Sequence, residues 1–164
     1  MIQEFQVQNF FSIRERQSIN FLPTNDDKLR GQYLYEVSED IKLLKIGIVY
    51  GSNASGKTIL LDALTFFRHT MLDKPESKNF GMGFMPFLLD NHSQEEHSFM
   101  QMTFWLNKEK YVLSLEFDKK RIYKETLLLY SSSRPTTLYK RSYQLETDHT
   151  EVTFGSKSGI SKPT

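Results

Sequence analysis

Eight consecutive residues carry the strongest chemical signal in the chain. Gly51, Ser52, Asn53, Ala54, Ser55, Gly56, Lys57 and Thr58 satisfy the spacing G-x-x-x-x-G-K-[S/T]. A polyphosphate carries several negative charges, and the backbone N–H groups of a tight loop can converge on them. Gly51 and Gly56 permit backbone angles and close approaches that a Cβ would block. Where such a loop opens a helix, the free N–H groups and partial positive charge of the helix end face the same anion. Lys57 is then placed to reach the β- and γ-phosphates of ATP as the catalytic cation. The Thr58 hydroxyl is placed to ligate Mg²⁺.

The loop needs elements on both sides to hold it. Residues 43–50 (LLKIGIVY) form a short, nearly continuous apolar run. Beside a Gly-rich turn, that pattern predicts a strand buried on both faces of a parallel sheet. After the loop, Ile59, Leu60, Ala63, Leu64, Phe67 and Met71 recur at helical spacing and put one apolar stripe on a core. Pro75 disfavours helix at the residue before it, so the helix should stop near Asp73. A Gly/Ser turn with an incidental lysine is the bland alternative, and the flanking strand and helix weigh against it.

Further from the loop the periodicity changes. Residues 2–10 and 16–22 read as a strand pair around a turn at Ser12 to Glu15, followed by a loop from Pro23 to Asp27. Residues 28–41 favour no element, and residues 74–97 read as an excursion containing Gly81, Gly83 and Pro86. Residues 99–106, 111–117 and 122–130 are rich in aromatic and β-forming types, with turns at Asn107 to Lys110 and Asp118 to Arg121. They predict an antiparallel meander, which 137–145 extends after a turn at 131–135. The last dozen residues carry no packing signal.

Composition narrows the class. With 164 residues, 38% of them apolar and 13% aromatic, the chain can bury the core of one ordinary domain. It has no cysteine, which excludes disulfides and thiolate metal sites. The net charge of +1 gives no electrostatic case for nucleic acid. No run of about 18 apolar residues suits a membrane span, and the polar, acidic start MIQEFQVQNF does not suit a secretion signal. A cytoplasmic location is expected.

The stretch KIGIVYGSNASGKTILLDAL resembles the P-loop of the SMC/RecF/OLD-like ATPases, which have ABC-type heads. Asn53 inside the loop and the ending Ser55-Gly56-Lys57-Thr58 are similar to that group, as is the element Asn9-Phe10-Phe11-Ser12-Ile13. Within the group the chain looks closest to bacterial AAA-type ATPases of phage-defence and abortive-infection operons. Pro86-Phe87-Leu88-Leu89-Asp90 and a meander with an acid such as Glu125 carry that likeness. The resemblance covers roughly residues 1–145. It implies that the Asn9–Ser12 segment ends the first strand and lies near the nucleotide, and that Arg14 and Arg16 can approach it. It also implies a Walker B strand ending Asp-Glu, a signature loop and a switch histidine, none of which the sequence contains. Pro86 interrupts the apolar run before Asp90, and Asn91 stands where the glutamate belongs.

Other chemistry-bearing residues have bland readings. His92 and His97 are five apart beside Glu95 and Glu96, a poor spacing for a helical metal pair. Lys119, Lys120, Arg121 and Lys124 around Tyr123 fit a polar hairpin better than a phosphate-binding patch. Ser131 to Ser133 is a turn with no His-Asp partnership, and Trp105 and the Phe-rich strands are core candidates.

The expected fold is α/β: a P-loop NTPase N-terminal lobe of ABC/SMC type, with a parallel strand–P-loop–helix unit plus an antiparallel β subdomain. Residues 1–145 form that lobe, incomplete without Walker B and signature motifs, and 146–164 a flexible or truncated tail. The expected function is Mg²⁺-dependent ATP binding, with hydrolysis once a C-terminal lobe or a second ATPase head completes the site. Alone, the chain should turn ATP over very slowly or not at all. The rival from another class is a non-catalytic nucleotide-binding or interaction module. A small P-loop kinase would need alternating βαβ units, and the meander argues against it.

Overall fold

The computed structural model describes residues 1–24, 30–72 and 82–159. Strands β1 (Ile2–Gln8) and β2 (Gln17–Asn20) come first, then a short helix α1 (Arg30–Tyr33) and a small hairpin of β3 (Leu34–Glu36) and β4 (Lys42–Leu44). The long helix α2 (Lys57–Leu72) and the one-turn α3 (Asn91–Glu95) follow. The meander closes the chain with β5 (Ser98–Leu106), β6 (Glu109–Phe117), β7 (Ile122–Tyr130), β8 (Thr136–Gln144) and β9 (His149–Phe154). One seven-stranded sheet runs β2-β1-β5-β6-β7-β8-β9, and β3 and β4 form a separate ribbon. Every pairing among the described residues is antiparallel.

The meander forms where alternation and turn residues predict it. Asn107 and Lys108 both take positive φ, 51° and 66°, which lets a two-residue turn follow the twist of β5 and β6. In register, Val7, Met100, Leu115 and Glu125 lie side by side across β1, β5, β6 and β7. Phe5, Met102, Leu113 and Leu127 form the next row on the same face. Helix α2 lies on the β1–β5–β6 part of that face, through fully buried Ala63 and nearly buried Phe67, with Ile59, Leu60, Leu64 and Met71 around them. This is the stripe its 3.6-residue period dictates. Asp73 and Pro75, the expected helix stop, lie outside the described residues.

Phenylalanines fill the space between helix and sheet. Phe10 stacks on Phe84 at 5.7 Å, Phe66 on Phe117 at 5.3 Å, and Phe5 meets Phe67 edge-on at 5.6 Å. Each such pair adds about 0.5–1.5 kcal/mol beyond the area it buries.

Two expectations are corrected. The predicted parallel strand over 43–50 does not form: only Lys42–Leu44 is strand, and it pairs antiparallel with β3. Ile46, Ile48, Val49 and Tyr50 are all exposed, Ile48 to 83% and Tyr50 to 90%. A strand is buried on both faces only with neighbours on both edges and layers on both sides. Among the described residues no strand pairs with 45–50; Lys45 N–H donates to Tyr33 O at 2.8 Å, and beyond it the stretch has no ladder partner. The stretch 146–164, expected as a tail, instead contributes β9 to the sheet, because its Thr-Glu-Val-Thr alternation pairs in unbroken register with β8.

Candidate functional site

The loop Gly51–Gly56 leads into α2, whose first residues are Lys57 and Thr58. Backbone geometry explains the residue types. Gly56 has φ +86°, a left-handed conformation, and a Cβ there would point into space whose nearest atom is Ser12 Oγ at 4.0 Å. A Cβ on Gly51 would fall 2.9 Å from Ser55 Oγ. Ala54 also has positive φ, 64°, without being glycine. That conformation costs an alanine about 1–2 kcal/mol, strain of the kind that gathers in ligand-binding loops.

Lys57 turns back over the loop. Its ammonium donates to Gly51 O at 2.9 Å, Ser52 O at 2.6 Å and Ser55 Oγ at 3.4 Å. The cation therefore sits inside the ring of loop residues at the positive end of a 16-residue helix. An ammonium beside the N-terminal end of a helix is an arrangement able to hold an anion.

A cleft of about 560 Å³ opens beside the loop. One wall is Ala54, Ser55, Gly56 and Lys57; the other is the β1–β2 turn, with Ser12, Arg14, Glu15 and Gln17. Thr58 lines a smaller recess of about 170 Å³ with Ser12 and Ile59. Asn53 is exposed, and Ser52 enters the site through its carbonyl. The structure thus brings the loop and the Asn9–Ile13 element together across one cleft.

Asn9 holds that turn in place. Its backbone is left-handed at φ 52°, and the residue is 2% exposed. Its amide donates to Ser93 O at 2.7 Å and Glu96 O at 3.1 Å, and its side-chain oxygen accepts from Phe87 N–H at 2.9 Å. Ser98 Oγ donates to its carbonyl at 2.5 Å. Phe10 then enters the core, and Phe11 N–H donates to Met85 O at 2.8 Å. The resemblance placed the Asn9–Ser12 segment near the nucleotide; within it, Asn9 itself fastens the turn that carries Ser12 and Arg14.

The two arginines part company. Arg14 lines the cleft and pairs with Asp90 at 3.1 Å and Glu15 at 3.6 Å. Arg16 points away, donating to Gln8 at 3.2 Å and lying 4.0 Å over the Phe99 ring. Asp90 caps α3 through Ser93 N–H at 2.6 Å. That bond, the Ser93 hydroxyl and the Arg14 guanidinium hold its carboxyl below the usual carboxylate range. Asp90 therefore ends no strand, and Pro86 to Leu89 form none.

Other candidates resolve as structure. His92 pairs with Glu96 at 3.4 Å and His97 stacks on Tyr123 at 4.0 Å. No cluster of metal-ligating side chains occurs among the described residues. Arg121 pairs with Asp148 at 3.0 Å and Lys124 with Glu116 at 2.9 Å, which neutralises half of the basic hairpin. Glu125 is 8% exposed on the sheet, paired to Arg141 at 2.8 Å and accepting from Tyr139. Among the described residues no helix is long and apolar enough to cross a membrane.

The family described as "AAA domain, putative AbiEii toxin, Type IV TA system" matches residues 47–156. The chain belongs to this AAA domain family. Membership makes it a nucleotide-binding protein of ATPase type, in a P-loop family related to abortive-infection systems that generally binds ATP with Mg²⁺. The match begins at Gly47, four residues before the cradle, and runs through the meander to β9. No curated protein matches the chain.

Proposed function

We propose that Gly51–Thr58 is a Walker A loop that binds Mg-ATP in the cleft between α2 and the β1–β2 turn. The observation that carries this reading is the Lys57 ammonium, held by three loop oxygens at the end of α2. Phosphate oxygens would replace Gly51 O and Ser52 O as its acceptors, and the amides of the loop would cradle the rest of the chain of phosphates. Thr58 fits the hydroxyl ligand of Mg²⁺, which would neutralise charge between the β- and γ-phosphates. Arg14 stands across the cleft as a second cation once a polyanion competes with Asp90 and Glu15 for it.

Hydrolysis needs a base to orient water. Among the described residues, Glu15 is the carboxylate lining the cleft, and it is paired with Arg14. We therefore assign this chain the binding half of an ATPase, completed by a C-terminal lobe or a second head of the ABC type found in SMC/RecF/OLD-like proteins. The exposed run Ile46, Ile48, Val49 and Tyr50 supports this, since a backbone beside the cradle with bare apolar side chains suits added strands. The family description favours a place in abortive-infection phage defence over DNA repair. The same exposed run favours the second reading, a nucleotide-binding interaction module that acts on a partner without turnover.

Calorimetry with Mg-ATP separates these readings. The wild type should bind and Lys57→Ala should not, with no steady ATP turnover by either. Turnover abolished by Lys57→Ala would show that the catalytic base is already present. Absence of binding by folded wild type would overturn the Walker A assignment in this chain and favour the module.

A further inference from the structure

The sheet ends in two strands with unlike edges. β2 is four residues long, Gln17 and Ser18 line the cleft, and its continuation at Phe21 accepts from Leu44 N–H at 2.7 Å. That edge is occupied by the site and the β3–β4 ribbon. β9 is six residues long, His-Thr-Glu-Val-Thr-Phe, with Glu151 as its one carboxylate and no lysine, arginine, proline or bulge. Natural edge strands are blunted by such features, or covered, because an open ladder recruits another strand. The described segment after β9 does not cover it. Gly155 N–H donates to Leu138 O at 2.9 Å and Lys157 reaches Ser131 Oγ at 3.4 Å, so the chain folds back toward β8 and the β7–β8 turn.

We propose that β9 is a homodimer interface, pairing antiparallel with β9 of a second copy about a two-fold axis at Val152. The hydrogen-bond phase is fixed by Gly155, whose N–H points at β8. In an antiparallel ladder alternate residues then point the same way, so Thr153, Glu151 and His149 bond to β8. Thr150, Val152 and Phe154 direct their N–H and C=O groups outward. A two-fold axis normal to the sheet keeps like faces together, so it must pass through a residue rather than between two. Centred on Glu151, the axis would set two carboxylates directly opposite, which is destabilising. Centred on Val152, it opposes Val152 to Val152, Thr150 to Phe154 and Glu151 to Thr153, with no like charges. The side chain of Val152 is on the helix-bearing face, in the row of Leu115, Glu125 and Arg141, and is 46% exposed in one copy. This self-complementarity selects a second copy over a foreign strand. The pairing is independent of nucleotide, since β9 lies at the opposite end of the sheet order from β1 and β2.

Light scattering across a concentration series, with and without Mg-ATP, tests it. The protein should reach a dimer in both conditions. Val152→Lys should weaken dimerisation about tenfold or more by opposing two ammonium groups, with circular dichroism and Mg-ATP binding unchanged. The chain has no cysteine, so single cysteines report the register cleanly. Val152→Cys should form a disulfide-linked dimer on mild oxidation faster than Glu151→Cys. A monomer at every concentration, a dimer indifferent to Val152→Lys, a dimer only with Mg-ATP, or preferential linkage through Glu151→Cys would each overturn the proposal.

Discussion

Two apolar runs of the chain meet opposite fates. Residues 111–117 (YVLSLEF) become the middle of β6, with Leu115 and Phe117 fully buried. Residues 43–50 (LLKIGIVY) bury Leu43 fully and leave Ile46, Ile48, Val49 and Tyr50 at the surface. Both have the composition of a strand. The first has β5 and β7 on its two edges, while the second has β3 beside its first residues only. Burial follows from partners, and the run beside the cradle is where this chain lacks them among the described residues. The loop it feeds is also where strain is held, at Ala54.

The contrast predicts a hierarchy of mutational costs. Phe10→Ala, cutting into the stacked rings over β1 and β6, should cost about 3–5 kcal/mol in urea unfolding. Ile48→Ala should stay within about 0.5 kcal/mol. Equal costs would mean that the run is buried in solution, and the contrast would collapse. Asn9→Ala comes next, at about 2–4 kcal/mol, because it orphans the buried Ser93 carbonyl, the part-buried Glu96 carbonyl and the Phe87 N–H, and leaves an alanine in a left-handed conformation. Ser12→Ala, three residues on and exposed, should leave stability unchanged.

Tyr139 offers a smaller effect with a sign. Burial raises its pKa, and donation to Glu125 raises it further. A raised folded pKa contributes stability that is complete below the unfolded value, about 10, and is lost as pH rises through the folded one. Tyr139→Phe should cost about 1–2 kcal/mol at neutral pH. In an alkaline absorbance titration it should remove the phenol that ionises last. If all phenols of the wild type ionise together near the ordinary value, the Glu125–Tyr139–Arg141 cluster is open to water.

The loop should respond in the other direction. Ala54→Gly relieves the left-handed alanine at the expense of unfolded-chain entropy, so stability should change by less than about 1 kcal/mol. Mg-ATP affinity should persist. A large loss of stability would show that the Ala54 methyl packs in the folded protein. The least effect is electrostatic. Asp90, held below the ordinary carboxylate value, supports the α3 cap above its unfolded pKa. That support is lost as pH falls through the folded value, and a carboxyl NMR titration of Asp90 with and without Arg14→Gln should move the midpoint upward in the variant.

Much was legible from local pattern. The spacing of Ile59, Ala63 and Phe67 fixed α2 and its buried face, since a 3.6-residue period needs no tertiary information. The alternation from Phe99 to Tyr130, with Asn107-Lys108 and Asp118 at the turns, fixed the meander by the same logic. The glycine at position 56 was legible because its left-handed backbone, φ +86°, favours glycine just before a helix that starts at Lys57. Three things were decided only by the tertiary structure. Residues 46–50 form no strand, because an apolar run cannot specify its own neighbours. Asn9 became a buried clasp, because its partners Ser93 and Glu96 lie more than 80 residues away. Residues 149–154 joined the sheet, because six residues of weak alternation become a strand only when β8 offers them an edge in register.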